Sequence, residues 1–302
     1  MAGAPQIFDR QLLKARRERS ARRGEGHPLP DFLLARVADD FVERLGFVRR
    51  EFPLALSLGD YRGIVAERIK ALPSIGQVID AEPAFASLGP DSTWRVVADD
   101  EYLPFAAASL DLVVSGLSLQ FANDLPGTLV QISRALKPDG LFLGALLGGE
   151  TLKELREAWI LAEDEMLGGA SPRVAPFADV RELGGLLQRA GFALPVTDND
   201  VVEATYASPL ALMQELKAMA ASNPLLERRR TPATRGLLLR AAEIYQERFG
   251  LANGRIPATF EIVTLTGWAP HESQQKPLQP GSAEVSLADV LKSRPKSPGA
   301  KE

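Results

Sequence analysis

Acidic residues close several apolar runs in the first half of this chain, at positions suited to holding a nucleoside. Leu54–Leu58 is a short apolar run that enters Gly59-Asp60-Tyr61-Arg62-Gly63. Glycines suit such a turn, because the backbone must approach a ligand closely and take a positive φ. Gln77–Ile79 is the next run, closed by Asp80, and an acid there accepts hydrogen bonds from both hydroxyls of a ribose. A third run starts at Val96 and ends in Asp99 and Asp100, with Asp99 placed to accept from an adenine amino group and Leu103 near the ring. Leu110–Ser115 leads to a small-residue loop, Gly116-Leu117-Ser118, which completes the candidate site. The competing reading is that the glycines only turn the chain and the carboxylates cap loops or face water.

The elements that carry these residues alternate. A helix over Ile64–Leu72 follows the glycine turn. Another over Leu125–Leu136 meets the breaker Lys137-Pro138-Asp139-Gly140 and a further apolar strand to Leu143. Strands alternating with helices predict a parallel sheet covered on both faces, with ligands at the strands' carboxyl ends. In this order, with these turn residues, Val96–Leu143 resembles the class I methyltransferase (Rossmann-like) α/β fold. That resemblance implies S-adenosylmethionine as cofactor, held by Gly59, Gly63, Asp80, Asp99, Asp100, Leu117 and Ser118. It also marks departures. The family's strand-end acid is replaced by Ser57 and its middle glycine by Tyr61, which weakens contacts to the cofactor's amino-acid end.

Further along, helices are expected over Thr151–Met166, Ala178–Arg189, Leu210–Ala221 and Ala233–Phe249, and strands over Val196–Ala204 and Thr259–Thr266. In the methyltransferase plan the last strand inserts antiparallel at the sheet edge. The chain thus divides into a basic helical extension (1–50), a methyltransferase-like domain (51–270) with a helical insertion (207–250) before the last strand, and a weakly ordered tail (271–302). The loop Gly168–Pro176, with glycine hinges and stiffening prolines, suits a lid over the site or a plain long connection.

Composition excludes several classes. The 302 residues contain no cysteine, so disulfides, thiolate metal sites and a cysteine nucleophile are absent. His27 and His271 are too few and too isolated for an imidazole metal site, and no metal is expected. A net charge of −4 names no partner by bulk electrostatics. Nucleic acid is not expected, since no extended basic face is interleaved with aromatics. No run approaches the roughly 20 apolar residues that span a bilayer, and no secretory signal is apparent, so a cytoplasmic location is expected. The N-terminal segment is locally basic, with Arg10, Lys14, Arg16, Arg17, Arg19, Arg22 and Arg23. It reads as a solvated helix, or as a surface for an acidic partner or for peripheral contact with an anionic membrane face such as the inner membrane. Arg228-Arg229-Arg230 reads as a solvated turn, or as a hold for an acidic partner.

Longer pieces narrow the resemblance. Ile7-Phe8-Asp9-Arg10, Ala98-Asp99-Asp100-Glu101-Tyr102-Leu103-Pro104-Phe105, Gly148-Gly149-Glu150-Thr151-Leu152, Ser171-Pro172-Arg173-Val174-Ala175-Pro176-Phe177, His271-Glu272-Ser273-Gln274 and Gly281-Ser282-Ala283 run nearly end to end. They resemble the methyltransferase-like assembly factors of respiratory complex I, the mitochondrial arginine-hydroxylase type. Gln120-Phe121 departs from the His-Trp that related sequences often carry. The resemblance implies an enzyme that binds S-adenosylmethionine and modifies an arginine of a complex I (NADH:ubiquinone oxidoreductase) subunit or assembly intermediate. Two alternatives stand beside it. One is a small-molecule or carrier-protein O-methyltransferase similar to the malonyl-carrier-protein type. The other is a non-catalytic assembly chaperone with a degenerate cofactor site.

Overall fold

The computed structural model describes residues 6–23, 31–89 and 94–275. Met1–Pro270 forms one compact unit and His271–Glu302 a second. Of the second, His271–Gln275 is described: a turn in which Ser273 N donates to His271 Nδ1 at 3.2 Å. The rest of the tail, His27 and Gly281-Ser282-Ala283 lie outside the described residues.

The elements in chain order are α1 (Arg10–Arg23), α2 (Phe32–Phe47), β1 (Phe52–Leu58), α3 (Ile64–Lys70), β2 (Ile75–Glu82), β3 (Trp94–Val97), β4 (Leu110–Gly116), α4 (Leu125–Ala135) and β5 (Leu136–Leu147). They continue with α5 (Lys153–Leu167), α6 (Val180–Arg189), β6 (Ala193–Tyr206), α7 (Pro209–Ala218), α8 (Arg235–Phe249) and β7 (Ile256–Trp268). The seven strands form one sheet in the order β3-β2-β1-β4-β5-β7-β6. The pairings from β3 across to β5 are parallel, and β7 runs antiparallel to both its neighbours. The last strand therefore enters antiparallel as expected but lies inside the sheet, and β6 forms the edge.

β4 is buried at every residue, as a parallel strand covered on both faces must be. Alternation, with a register shift between Leu110 and Leu112, divides its side chains. Leu112 and Val114 join α2, α3, α5, α7 and α8 in one core cluster, while Leu110 and Val113 join α4 and α6 in the other. α4 starts where Asp124 accepts the Gly127 N–H at 2.9 Å and Pro126 occupies the first turn, where its missing N–H costs nothing. The helical insertion between β6 and β7 is α7 and α8, and Tyr245 of α8 donates to Pro257 O at 2.7 Å.

Three boundaries differ from the sequence expectation in ways that move site residues. β2 continues past Asp80 to Glu82, because β3 pairs with it out to Glu82↔Val97. β3 stops at Val97, so Asp99 and Asp100 lie in the turn after it. Lys137-Pro138-Asp139-Gly140 is the irregular start of β5 rather than a breaker before it: Asp139 has φ 65° and the β4–β5 register shifts between Leu110 and Leu112.

Candidate functional site

The turn after β1 takes the conformation its glycines permit. Gly59 has φ 72° and Gly63 φ 75°, and between them Arg62 holds φ 76° without being glycine. Strain of this kind concentrates at functional sites. Inside the turn, the fully buried Asp60 accepts from Ser57 Oγ at 3.0 Å, Val65 N at 2.8 Å and Ala66 N at 2.6 Å. The chain thus supplies its own anion to the amino end of α3. Burial pushes the Asp60 carboxyl up to about 7, against the pull of the hydrogen bonds.

Pairing of β1 with β2 sets Ser57 opposite Asp80 and Leu58 opposite Ala81, and Gly59 N donates to Ala81 O at 2.9 Å. A further acid, Glu82, ends β2 two residues beyond the expected end at Asp80. Asp80 lies deeper, fully buried, and accepts the Gly89 N–H at 2.7 Å. Glu82 is also fully buried, and burial raises its carboxyl well above the ordinary range.

Beyond β3, burial opposes ionisation of Asp99, but the Glu101 N–H at 2.9 Å and the Arg10 guanidinium at 2.6 Å hold its carboxyl below the usual value. Asp100 is almost fully buried. It accepts from Arg10 and, at 3.2 Å, from Ser118 Oγ, and burial raises its carboxyl. Leu117 sits in the left-handed region, with φ 52°, and anchors to β5 through N–H···O=C of Ala145 at 2.9 Å. This turn throws Ser118 against the glycine loop. A Cβ built on Gly59 would lie 2.3 Å from Ser118 Cβ and Oγ.

All seven sequence-derived site residues therefore lie around the carboxyl ends of β1, β2, β3 and β4. Direct hydrogen bonding or close packing links Ser118 to Gly59 and to Asp100. Asp80 lies deeper in β2, paired with Ser57 of β1, and Glu82 adds a second buried acid at the end of the same strand.

Helix α1 covers this cluster, which the sequence did not reveal. Arg10 bonds Asp99, Asp100 and, at 3.2 Å, Phe121 O. Arg17, 6% exposed, reaches Ser118 Oγ at 3.3 Å and lies 3.5 Å from Glu82 Oε2. Arg16 donates to Ser222 O and Asn223 O, both at 2.7 Å, and Ser20 donates to Ala218 O. Asp9 caps α1 through Leu12 N at 2.9 Å and pairs with Arg228 at 3.1 Å, while Phe8 packs edge-on against Phe121. The acidic surface that meets the basic N-terminus is thus the chain's own strand ends. Lys14, Arg19 and Arg22 stay exposed. Arg228 also turns inward, leaving Arg229 and Arg230 exposed.

Next to the strand ends lies a cavity of about 310 Å³ between α1, α2, α5 and α7. Its walls are largely apolar, among them Leu33, Leu155, Trp159, Met213 and Leu216, and its polar groups include Arg17, Tyr61, Arg62 and Gln120. The Gln120 Oε1 is buried there without a hydrogen-bond partner. The loop Gly168–Pro176 contributes Arg173, Val174 and Ala175 to this wall. Arg173 is pinned by the buried Glu163 through Nε at 2.8 Å and stacks 4.9 Å from the Trp159 ring centroid.

Comparison with known proteins matches this architecture. A family model described as a methyltransferase domain matches residues 62–144. The YcgJ protein from Bacillus subtilis superposes with a TM-score of 0.52 at 14% identity, covering 78% of this chain and 99% of that one, which shows the fold. The mitochondrial arginine-hydroxylase NDUFAF5 of Homo sapiens is 41% identical over 291 residues, covering 95% of this chain and 84% of that protein. The chain belongs to the NDUFAF5 arginine-hydroxylase family. That family sits within the class I methyltransferase superfamily, and a malonyl-[acyl-carrier protein] O-methyltransferase of Halorhodospira halophila is a more distant relative, 32% identical over 97% of this chain and 99% of that protein.

Against the family's fold, the strand-end carboxylates and the two positive-φ glycines fit a nucleoside cofactor, because they provide acceptors for hydroxyl and amino groups and a close backbone approach. In this conformation the chain's own side chains already engage several of these acceptors. Ser118 stands on Gly59, Arg17 spans Glu82 and Ser118, and Arg10 covers Asp99. Asp60 could have been suspected from the sequence, as an acid inside a glycine turn. Arg10, Arg17 and Glu82 had no such signal.

Proposed function

We propose that this protein acts in the assembly of respiratory complex I, binding S-adenosylmethionine at the strand ends and modifying an arginine of a complex I subunit or assembly intermediate. The observation that carries this reading is the near end-to-end kinship with proteins named arginine-hydroxylase NDUFAF5, at 41% identity over 95% of the chain. The acid-lined cleft adds chemical support. It already accepts two guanidinium groups, that of Arg10 by charge-assisted hydrogen bonds to Asp99 and Asp100 and that of Arg17 by an ion pair with Glu82.

When bound, S-adenosylmethionine supplies a methyl group on an activated sulfonium, so orientation of an acceptor carries much of the rate and little acid–base help is needed. This chain's own groups would hold the cofactor: Glu82 toward the ribose, Asp99 toward the adenine, and Gly59 and Gly63 by close backbone approach. Whether the arginine receives a methyl group or an oxygen is read by mass. Deleting the gene and resolving membranes on a native gel, with mass spectrometry of complex I subunits, tests the proposal. Stalled assembly with loss of one methylene or one oxygen from a single arginine is expected. A fully assembled complex with unchanged arginine masses would refute it.

A second reading, O-methylation of an acid carried on an acyl chain, is favoured by one feature. The cavity is largely apolar, with Arg17, Arg62 and Arg173 among its polar groups, a setting for an aliphatic body with an anionic head. Transfer of labelled methyl to a malonyl carrier protein would select it.

A further inference from the structure

Three groups of the chain stand where the cofactor of the proposed function has to lie. Ser118 packs so closely on Gly59 that a side chain there would collide with its Cβ and Oγ, which closes that side of the turn. The Arg17 guanidinium lies between Glu82, the last residue of β2, and Ser118, after β4. The Arg10 guanidinium takes both Asp99 and Asp100, after β3. A molecule reaching from the glycine turn to Asp99 crosses all three. The two arginines come from one helix, so one movement removes both.

The charges make the arrangement self-consistent. Asp60, Asp80, Glu82 and Asp100 crowd beneath α1, all buried. Left uncovered, that many carboxylates favour a cation, and S-adenosylmethionine carries one at its sulfonium. Arg10 and Arg17 satisfy the same field in its absence. The way α1 is held also suits release. Phe8, Leu13 and Ala21 are the apolar residues of this segment that bury fully, among those described. Most of the other contacts are polar: Arg16 to the carbonyls of Ser222 and Asn223, Ser20 to Ala218 O, and Asp9 to Arg228. An element with few buried apolar contacts opens at lower free energy than a packed core helix.

We infer that α1 is a plug in the cofactor cleft: Arg10 and Arg17 hold it closed, and S-adenosylmethionine binds only when α1 leaves the strand ends. This rests on the reading of the strand ends as the cofactor site. A plug that keeps all but about a tenth of the molecules closed weakens apparent affinity about tenfold. Release of α1 by an assembly partner would restore it, which couples cofactor loading to the partner's arrival.

The test is titration calorimetry of the full chain with S-adenosylhomocysteine, comparing wild type with Arg17→Ala, Arg10→Ala and the exposed control Arg19→Ala, each checked for an unchanged circular dichroism spectrum. Roughly tenfold tighter binding by Arg17→Ala or Arg10→Ala, with Arg19→Ala like wild type, is expected. Weaker binding by both would overturn the plug and make these arginines cofactor ligands instead. Trypsin provides a readout that does not need the substitutions. Saturating S-adenosylhomocysteine should speed cleavage within α1 of the wild type, and slower cleavage would equally overturn the plug. Binding that is present but indifferent to α1 defeats only the plug. Absence of binding in every folded variant defeats the cofactor reading and the plug with it.

Discussion

Arg17 and Glu82 face each other across the carboxyl ends of the sheet, 3.5 Å apart and both buried, and no other cation is within salt-bridge distance of Glu82 among the described residues. Glu82 makes no side-chain hydrogen bond, so the pair is held by charge rather than by matched donors. A buried ion pair with imperfect geometry contributes little net stability, whereas loss of one partner strands the other. The pair is better understood as a closure than as a brace. It ties an N-terminal helix to the acid that ends β2.

Asp60 gives the cleft a pH signature. Burial pushes its folded carboxyl up to about 7, above the ordinary 3.8, so the folded state holds its proton more tightly than the unfolded chain. The resulting contribution is fully present below pH 3.8, declines as pH rises between there and 7, and is gone above. Asp60→Asn should remove a slope of up to about 1.4 kcal/mol per pH unit in that window. Melting temperatures of wild type and variant across this range check it. Parallel curves would mean that Asp60 titrates normally.

Gly59→Ala meets two obstacles, a φ of 72° and a Ser118 side chain 2.3 Å from the new Cβ. A loss of at least about 1–2 kcal/mol is expected from the backbone alone. Adding Ser118→Gly should recover the contact part and leave the backbone part. Urea unfolding of the double-mutant cycle measures this, and strict additivity would show that the two residues do not touch.

Arg173→Ala strands the buried Glu163 and removes the Trp159 contact, so a loss of about 3–5 kcal/mol is expected. Replacing both members, Glu163→Leu with Arg173→Met, should recover much of it. Denaturant midpoints decide the matter. A double variant no more stable than the single one would mean that Ser171, which also donates to Glu163 at 2.9 Å, is the partner that counts.

Met213→Trp puts bulk into the cavity from a half-buried position on α7. Stability should change by about 1–3 kcal/mol or less. Modification of the acceptor should fall at least tenfold while affinity for S-adenosylhomocysteine stays within about twofold of wild type. Equal losses of both would place the cofactor, rather than the acceptor, in the cavity.

Most of the fold was legible because its signals are local. The buried run Leu110–Ser115, the Asp124–Pro126 start of α4 and the strand–helix alternation depend on residues near one another in sequence. The site was legible where a backbone conformation forced a residue type, as at Gly59 and Gly63. It was not legible where charges met across the chain. Arg10 and Asp99 are 89 positions apart, and Arg17 and Ser118 are 101 apart. The basic segment shows no apolar stripe that would turn these arginines inward, so it reads as a solvated helix. Glu82 was missed for a smaller reason: pairing with β3 extends β2 by two residues beyond its apolar run, and moves the acid at its end from Asp80 to Glu82.

Whether the strand ends beneath α1 bind S-adenosylmethionine is tested most directly by titration calorimetry of the full chain with S-adenosylhomocysteine, repeated on Glu82→Gln and Asp99→Asn. Saturable one-to-one binding by wild type, weakened at least tenfold by each substitution, is the expected result. No binding by the folded wild type and by Arg17→Ala alike, or binding that both substitutions leave intact, would contradict it.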